Sequence, residues 1–257
     1  MTLKKVIDLG RYLLQNCPEA EDVQAYLDTR VSRECQEKFE FGYFPPPFNL
    51  KLITSSIDEK ELEKLGLLYI RNVHDSISAR IEYDPYFTHQ PLIMPYKDVY
   101  GNVIAIVGRS LLEDDERKTL KIEKYKNTKF KKNQHLFGLF EAKESIIQND
   151  LVYVVEGQFD VIKAFERGIT NIVALGSASM SDYQVSLILR YTKNILLLLD
   201  NDTAGDKGRA LARTKYSDIA NINDIYLPEG YKDIDDYLKD NDGDSLVFAT
   251  KDSNIRY

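Results

Sequence analysis

"LLLLDNDTAG", Leu196–Gly205, sets four leucines against two carboxylates one residue apart. A continuous apolar run is what a strand shows when helices cover both faces of its sheet. The segments before it keep that pattern: "LVYVVEG" (151–157), "FDVIKAFERGI" (159–169), "NIVAL" (171–175), "SDYQVSLILRYT" (181–192) and "NILLLLDND" (194–202) read as strand, helix, strand, helix, strand. This alternation predicts an α/β layer. In such sheets ligands gather outside the carboxyl ends of the strands, and that is where the acids fall. The first strand stops at Glu156, followed by Gly157 for a tight turn, and the "NILLLL" strand stops at Asp200 and Asp202. A third acidic group, Asp233 and Asp235 in "KDIDDYL", follows a short apolar run, "DIYLP".

Like-charged carboxylates crowded together repel unless a cation neutralises them. All-oxygen donors of this kind, completed by substrate phosphate, suit Mg²⁺ or Mn²⁺. Acids at strand ends also cap helices; Asp160 reads as such a cap, and three acidic groups in succession as a metal site.

Working outward, the preceding half changes character. Helical spacing covers Val6–Leu14 and Ala20–Leu27, and "SRECQEKF" opens a third helix with Ser32 as its N-cap. "FGYFPPPFNL" (41–50) interrupts with three prolines and predicts an extended connector. "SIDEKELEKLGLL" (56–68) predicts a helix capped by Ser56 and ended near Gly66. "PLIMPYKD" and "NVIAIVGRSL", joined by "VYG", predict a β-hairpin. Between Arg117 and Lys132 eight Lys or Arg stand against one Glu, with Tyr125 and Phe130 interleaved.

Over 257 residues with 43% hydrophobic content there is ample material for a core. The net charge of −7 gives no whole-chain sign of nucleic-acid binding, so a basic surface has to be local. Two cysteines, Cys17 and Cys35, and three histidines draw neither a zinc ribbon nor a disulfide framework. No run reaches the length of a spanning helix, and the expectation is a cytoplasmic protein without a membrane partner.

At "VVEGQFDVIKAFERGI", "ALGSASMSDYQ" and "LLLLDNDTAG" the chain resembles a TOPRIM domain, the catalytic module of DnaG-type primases, topoisomerases and some nucleases. "YLDTRVSRECQEKFEFGYFP", "PLIMPYKDVYGNVIAIVGRSL" and "KYKNTKFKKNQHLFGLFEA" resemble, in the same order, the N-terminal half of the DnaG-type primase core. The resemblance implies an α/β chain: an N-terminal mixed α+β primase subdomain (1–140), basic and facing template and nucleotide, then a Rossmann-like TOPRIM subdomain (141–257) with a short C-terminal extension. It implies Glu156, Asp200 and Asp202 as catalytic, with Asp233 and Asp235 joining them as metal ligands for Mg²⁺ or Mn²⁺. Arg109, Lys124, Tyr125, Asn127 and Lys132 match the positions that bind nucleotide or template; Lys126, Lys129 and Lys131 read as solvated loop.

The implied partners are a single-stranded DNA template, ribonucleoside triphosphates, and a replicative helicase or other replication protein acting in trans. Two departures stand out. Where the family carries an arginine before the first hairpin strand, this chain has His89 and Pro91. It also holds neither the cysteines for the family's zinc-binding domain nor the length for its helicase-binding domain. The implied activity is RNA primer synthesis by nucleotidyl transfer. A TOPRIM nuclease and a non-catalytic single-strand-binding accessory protein remain as alternatives.

Overall fold

The computed structural model describes residues 3–74 and 79–241. By internal packing the chain divides into two units, 1–96 with 102–130, and 97–101 with 131 onward. The division therefore falls at 130/131, ten residues before the boundary expected from the sequence, and a short excursion at 97–101 joins the second unit.

The first unit opens with α1 (Leu3–Asn16), which buries Val6, Ile7, Gly10, Leu13 and Leu14 along one stripe. Next come α2 (Glu21–Asp28) and α3 (Arg33–Lys38), where Ser32 accepts the Cys35 N–H as the expected N-cap. The strand β1 (Gly42–Tyr43) lies against α1 at backbone distance, since a Cβ on Gly42 would meet the Gly10 carbonyl carbon at 2.8 Å. The proline tract then turns through a short 3-10 segment, Pro47–Asn49, into α4 (Lys51–Thr54).

The following helix, α5 (Glu59–Lys64), starts later than its sequence implied. Ser56 and Ile57 still donate to the Ile53 carbonyl, so the cap falls to Asp58, whose side chain accepts the Lys60 N–H. The pair β2 (Leu68–His74) and β3 (Ala79–Pro85) forms an antiparallel ribbon that apolar patterning had not marked. The expected hairpin strands are β4 (Leu92–Lys97) and β5 (Val103–Arg109). Beyond them lie α6 (Asp114–Leu120) and β6 (Tyr125–Asn127), giving a sheet of order β1-β4-β5-β6. Beneath it Phe44, Ile53, Leu62, Leu67, Phe87, Ile93 and Ile106 form one apolar cluster.

The second unit is a parallel sheet of order β10-β9-β7-β8. Its elements run α7 (Leu139–Asn149), β7 (Val152–Val155), α8 (Gln158–Glu166), β8 (Ile172–Ala174), α9 (Asp182–Ile188), β9 (Asn194–Leu197), α10 (Thr203–Tyr216), β10 (Asn221–Asp224) and α11 (Ile234–Asp240). The fourth strand is Asn221–Asp224 rather than the more apolar "DIYLP"; Ile225 follows it, donating to the Leu197 carbonyl. Leu196 to Leu199 are all buried, as the four-leucine run required. Truncating any one of them to alanine should cost about 2–5 kcal/mol. The 97–101 turn is tied to this unit by an ion pair, Lys97 Nζ to Glu141 Oε1 at 2.9 Å, with both side chains almost wholly buried.

Candidate active site

The parallel sheet delivers its acids to one edge. Glu156 follows β7 and Asp200 follows β9; since β7 and β9 are neighbours, the two meet despite their separation in sequence. The Asp200 N–H donates to Glu156 Oε1 at 3.2 Å. Asp202 is the N-cap of α10 and accepts the N–H groups of Ala204 and Gly205 at 2.8 and 2.9 Å. Asp233 caps α11 in the same manner, accepting the Asp236 N–H at 2.8 Å. Asp235 sits in the first turn of that helix, its N–H toward Asp160 Oδ1 at 3.4 Å.

Asn201, the residue between the two aspartates, brings the third acidic group to the other two. Its amide donates to the carbonyls of Leu227 and Tyr231, both at 3.0 Å, and its backbone N–H donates to the Lys232 carbonyl at 2.8 Å. Three hydrogen bonds from one residue fix the segment that carries Lys232, Asp233 and Asp235.

Asp160 caps α8 as its sequence implied, and it is also deeply buried. It is the most buried acid of the group, with Oδ2 accepting the Gly157 N–H at 2.8 Å. Burial first, then the charges of Asp233 and Asp200, push its carboxyl well above the usual aspartate range. Burial and then Asp200 raise Glu156. Burial also raises Asp200, and the neighbouring Lys232 offsets that without cancelling it. Asp202 goes the other way, held down first by the Gly205 N–H.

Three carboxylates driven upward together mark a place deficient in positive charge. The donors are all oxygen, the set that Mg²⁺ and Mn²⁺ accept. Among the described residues no three His, Cys, Asp or Glu side chains converge tightly enough to cage an ion alone. That arrangement fits a cation bound through one or two carboxylates and completed by water and phosphate oxygens.

A fully buried arginine, absent from the sequence-derived set, holds this edge in shape. Arg209 of α10 donates to the carbonyls of Leu199 and Asp200 and to Asp206, and its guanidinium lies 4.4 Å from the Tyr226 ring centroid. In sequence it reads as one more exposed base on a Lys/Arg-rich helix, and no local signal separates it. Two close backbone approaches, the first spanned by Arg209, explain two glycines of α10. A Cβ on Gly205 would lie 2.1 Å from the Asp200 carbonyl oxygen, and one on Gly208 1.9 Å from that of Ala178.

The predicted basic residues divide between the units. Lys132 belongs to the second, its stem lying over Gly176, where a Cβ would meet Lys132 Cδ at 2.8 Å. The Gly176 N–H in turn donates to the Glu156 carbonyl at 2.9 Å, which places Lys132 beside the acidic edge. Arg109, Lys124, Tyr125 and Asn127 belong to the first unit. There Arg109, almost fully buried, donates to the Tyr125 hydroxyl and lies against the rings of Tyr125 and Tyr26 at 5.2 and 5.5 Å. Arg109 and Lys124 line a pocket of about 110 Å³ together with Tyr26, Arg30 and Ser110. Tyr26 and Arg30 fall in the stretch "YLDTRVSRECQEKFEFGYFP", but nothing in their own spacing marks them as site residues. Asn127 lies at the end of β6, its carbonyl accepting the Tyr86 hydroxyl at 2.6 Å.

The rest of the basic block is less available than its composition implied. Arg117 and Lys118, in the last turn of α6, pair with Asp114 and Asp115 three residues earlier. Lys126 is not a solvated loop residue: it lies in β6, donates to the Tyr86 carbonyl at 2.7 Å and sits 4.1 Å from that ring's centroid.

Two family models match the chain: "DNA primase catalytic core, N-terminal domain" over residues 11–143 and "Toprim-like" over 153–238. The chain is similar to the DNA primase of Aquifex aeolicus, 33% identical over 250 residues, covering 93% of this chain and 46% of that protein. It is also similar to the DNA primase of Lactococcus lactis, 29% identical, covering 90% and 35%. The chain thus spans between about a third and a half of the length of these curated relatives. Among solved structures it superposes on the zinc-binding and RNA polymerase domains of the Aquifex aeolicus primase with a TM-score of 0.79, at 32% identity, covering 97% of this chain and 59% of that one. It superposes on a DnaG primase catalytic domain bound to ssDNA with a TM-score of 0.77, at 25% identity, covering 96% and 78%.

Proposed function

The chain belongs to the DnaG-type DNA primase family with a TOPRIM domain, and from that premise we propose that it synthesises short RNA primers on single-stranded DNA by nucleotidyl transfer during replication. The 3′-hydroxyl of the growing primer attacks the α-phosphate of the next ribonucleoside triphosphate, and pyrophosphate leaves. The observation that carries this reading is the junction of three acidic groups at the carboxyl edge of one parallel sheet, with Asn201 binding the third group to the second.

Glu156, Asp200 and Asp202 would hold Mg²⁺ or Mn²⁺, with Asp160, Asp233 and Asp235 around them. Such a cation lowers the hydroxyl pKa and neutralises charge on the phosphate being transferred. The chain's own residues supply placement. Lys132, beside Glu156, offers a point charge to a triphosphate or template phosphate. In the first unit Arg109 and Lys124 would offer phosphate contacts, and Tyr125 a ring face. Selection of the incoming nucleotide is left to pairing with the template. The ssDNA-bound DnaG relative supports a single-stranded template here; a replicative helicase or other replication protein acting in trans is the further partner of this reading.

The test is ribonucleotide incorporation on bare and on RNA-primed single-stranded templates, with Mg²⁺ or Mn²⁺, comparing wild type with Asp200→Asn. Template-dependent RNA from wild type and none from the variant, with single-strand binding kept by both, is the expected result. Template cleavage without incorporation would replace the reading with that of a nuclease. Binding with neither reaction would make the chain an accessory protein.

A further inference from the structure

Six acidic side chains gather at the sheet edge, and one cation stands among them that the proposed reaction does not use. Lys232 Nζ lies 3.2 Å from Asp200 Oδ2. Its position is built, because its own carbonyl accepts the Asn201 N–H and the preceding residue, Tyr231, is held by the Asn201 amide. The Tyr231 ring also meets Tyr237 of α11 edge-on, with centroids 5.2 Å apart. The backbone of Lys232 is therefore fixed relative to Asp200, and only its four-carbon stem and ammonium are left to move.

Another cation of this edge makes the contrast. Arg209 is wholly buried and committed to backbone carbonyls, so it cannot leave without unsatisfied acceptors behind it. The Lys232 side chain is 66% exposed while that of Asp200 is 17% exposed. An ammonium on a flexible stem can exchange a carboxylate for water at little loss.

Resting on the reading of Asp200 as a metal-binding residue, we propose that Lys232 is a resident counter-cation: it occupies Asp200 when no divalent ion is bound and is displaced when one enters. Lys232 then acts as a positioning residue that sets the site's affinity for metal, holding the acids together in the empty site and weakening binding by competition. Displaced to about 6 Å from a divalent ion, a single positive charge still lowers the affinity by on the order of tenfold, even in a water-like dielectric.

The experiment measures Mn²⁺ binding to the full chain from the spin-resonance signal of the free ion, in the absence of nucleotide and template. Lys232→Gln should bind Mn²⁺ on the order of tenfold more tightly than wild type, and Lys232→Arg, which keeps the charge, should stay near wild type. Without metal, Lys232→Gln should melt below wild type, and saturating Mn²⁺ should raise its Tm by more. Equal or weaker Mn²⁺ binding by Lys232→Gln overturns the proposal. Asp200→Asn separates the two layers of the argument. If it loses Mn²⁺ binding while Lys232→Gln is unchanged, only the counter-cation role fails; if it binds like wild type, the assignment of Asp200 to metal fails and takes this proposal with it.

Discussion

The acidic edge of the second unit and the basic block of the first carry opposite charge and are held by opposite means. The acids are placed by backbone: Glu156 and Asp200 follow parallel strands, Asp202 and Asp233 cap the helices after them, Asp160 and Asp235 lie in first helical turns, and Asn201 and Arg209 tie the carbonyls between them. The bases are placed by side chains: Arg109 by two aromatic rings, Arg117 and Lys118 by their own helix, Lys126 by Tyr86. Groups that repel one another need a rigid frame, whereas long cationic side chains find aromatic faces and carboxylates by themselves.

If the frame is as unyielding as this contrast requires, Gly208→Ala should break it most severely. Alanine normally stabilises a helix relative to glycine by about 1 kcal/mol. Here its Cβ would stand 1.9 Å from the Ala178 carbonyl oxygen, so urea unfolding should show a loss of about 4 kcal/mol or more. A gain would mean that the acidic edge yields, and the contrast would fail.

Next in size is Arg209→Met, which removes the buried guanidinium from two carbonyls and from the Tyr226 face. A loss of about 3 kcal/mol is expected by the same measurement, and Arg209→Lys should recover little of it, because an ammonium cannot reproduce the planar fork.

A smaller, pH-dependent effect tests the electrostatics. An acid whose folded pKa stands above its unfolded value binds its proton more readily when folded. Its contribution to stability is therefore fully present below the unfolded value and is lost as pH rises through the folded one. For Asp160 the window opens near the ordinary value of 3.8 and extends upward. The metal-free Tm should fall across it, and Asp160→Asn should flatten that fall by a few degrees. Equal slopes would show that the buried carboxyl carries no such load.

The smallest effect belongs to the basic block. Lys118→Ala should change stability by less than about 0.5 kcal/mol and leave single-strand binding as it was, whereas Lys124→Ala should weaken binding and flatten its salt dependence. Equal losses from both would mean that the block acts as a whole.

The same contrast decides what could be read from the chain. A strand end followed by an acid is a local pattern, so Glu156, Asp200, Asp202, Asp233 and Asp235 stood out, and their common edge followed from parallel topology. Burial is not local: Asp160 reads as a helix cap in sequence, and nothing near Arg209 singles it out. The ribbon of β2 and β3 escaped because its exposed Tyr69 and Ile70 break any inside-outside alternation, and its charges are resolved only across the pair, Arg71 against Glu82 at 2.6 Å. The β6 strand escaped because "KYKN" is a lysine-rich edge, which blocks further pairing and reads as loop.

The excursion at residues 97–101 bears on how this protein can be taken apart. A fragment beginning at Lys131 would contain every acidic residue of the site, yet it would lack Lys97, the buried partner of Glu141. The orphaned carboxylate would have to be protonated or reach water, at the foot of the helix that leads into β7. Dissection at a single bond therefore yields an incomplete half. A stable fragment of the second unit calls for Glu141→Gln, or for the 97–101 turn grafted back as a short linker.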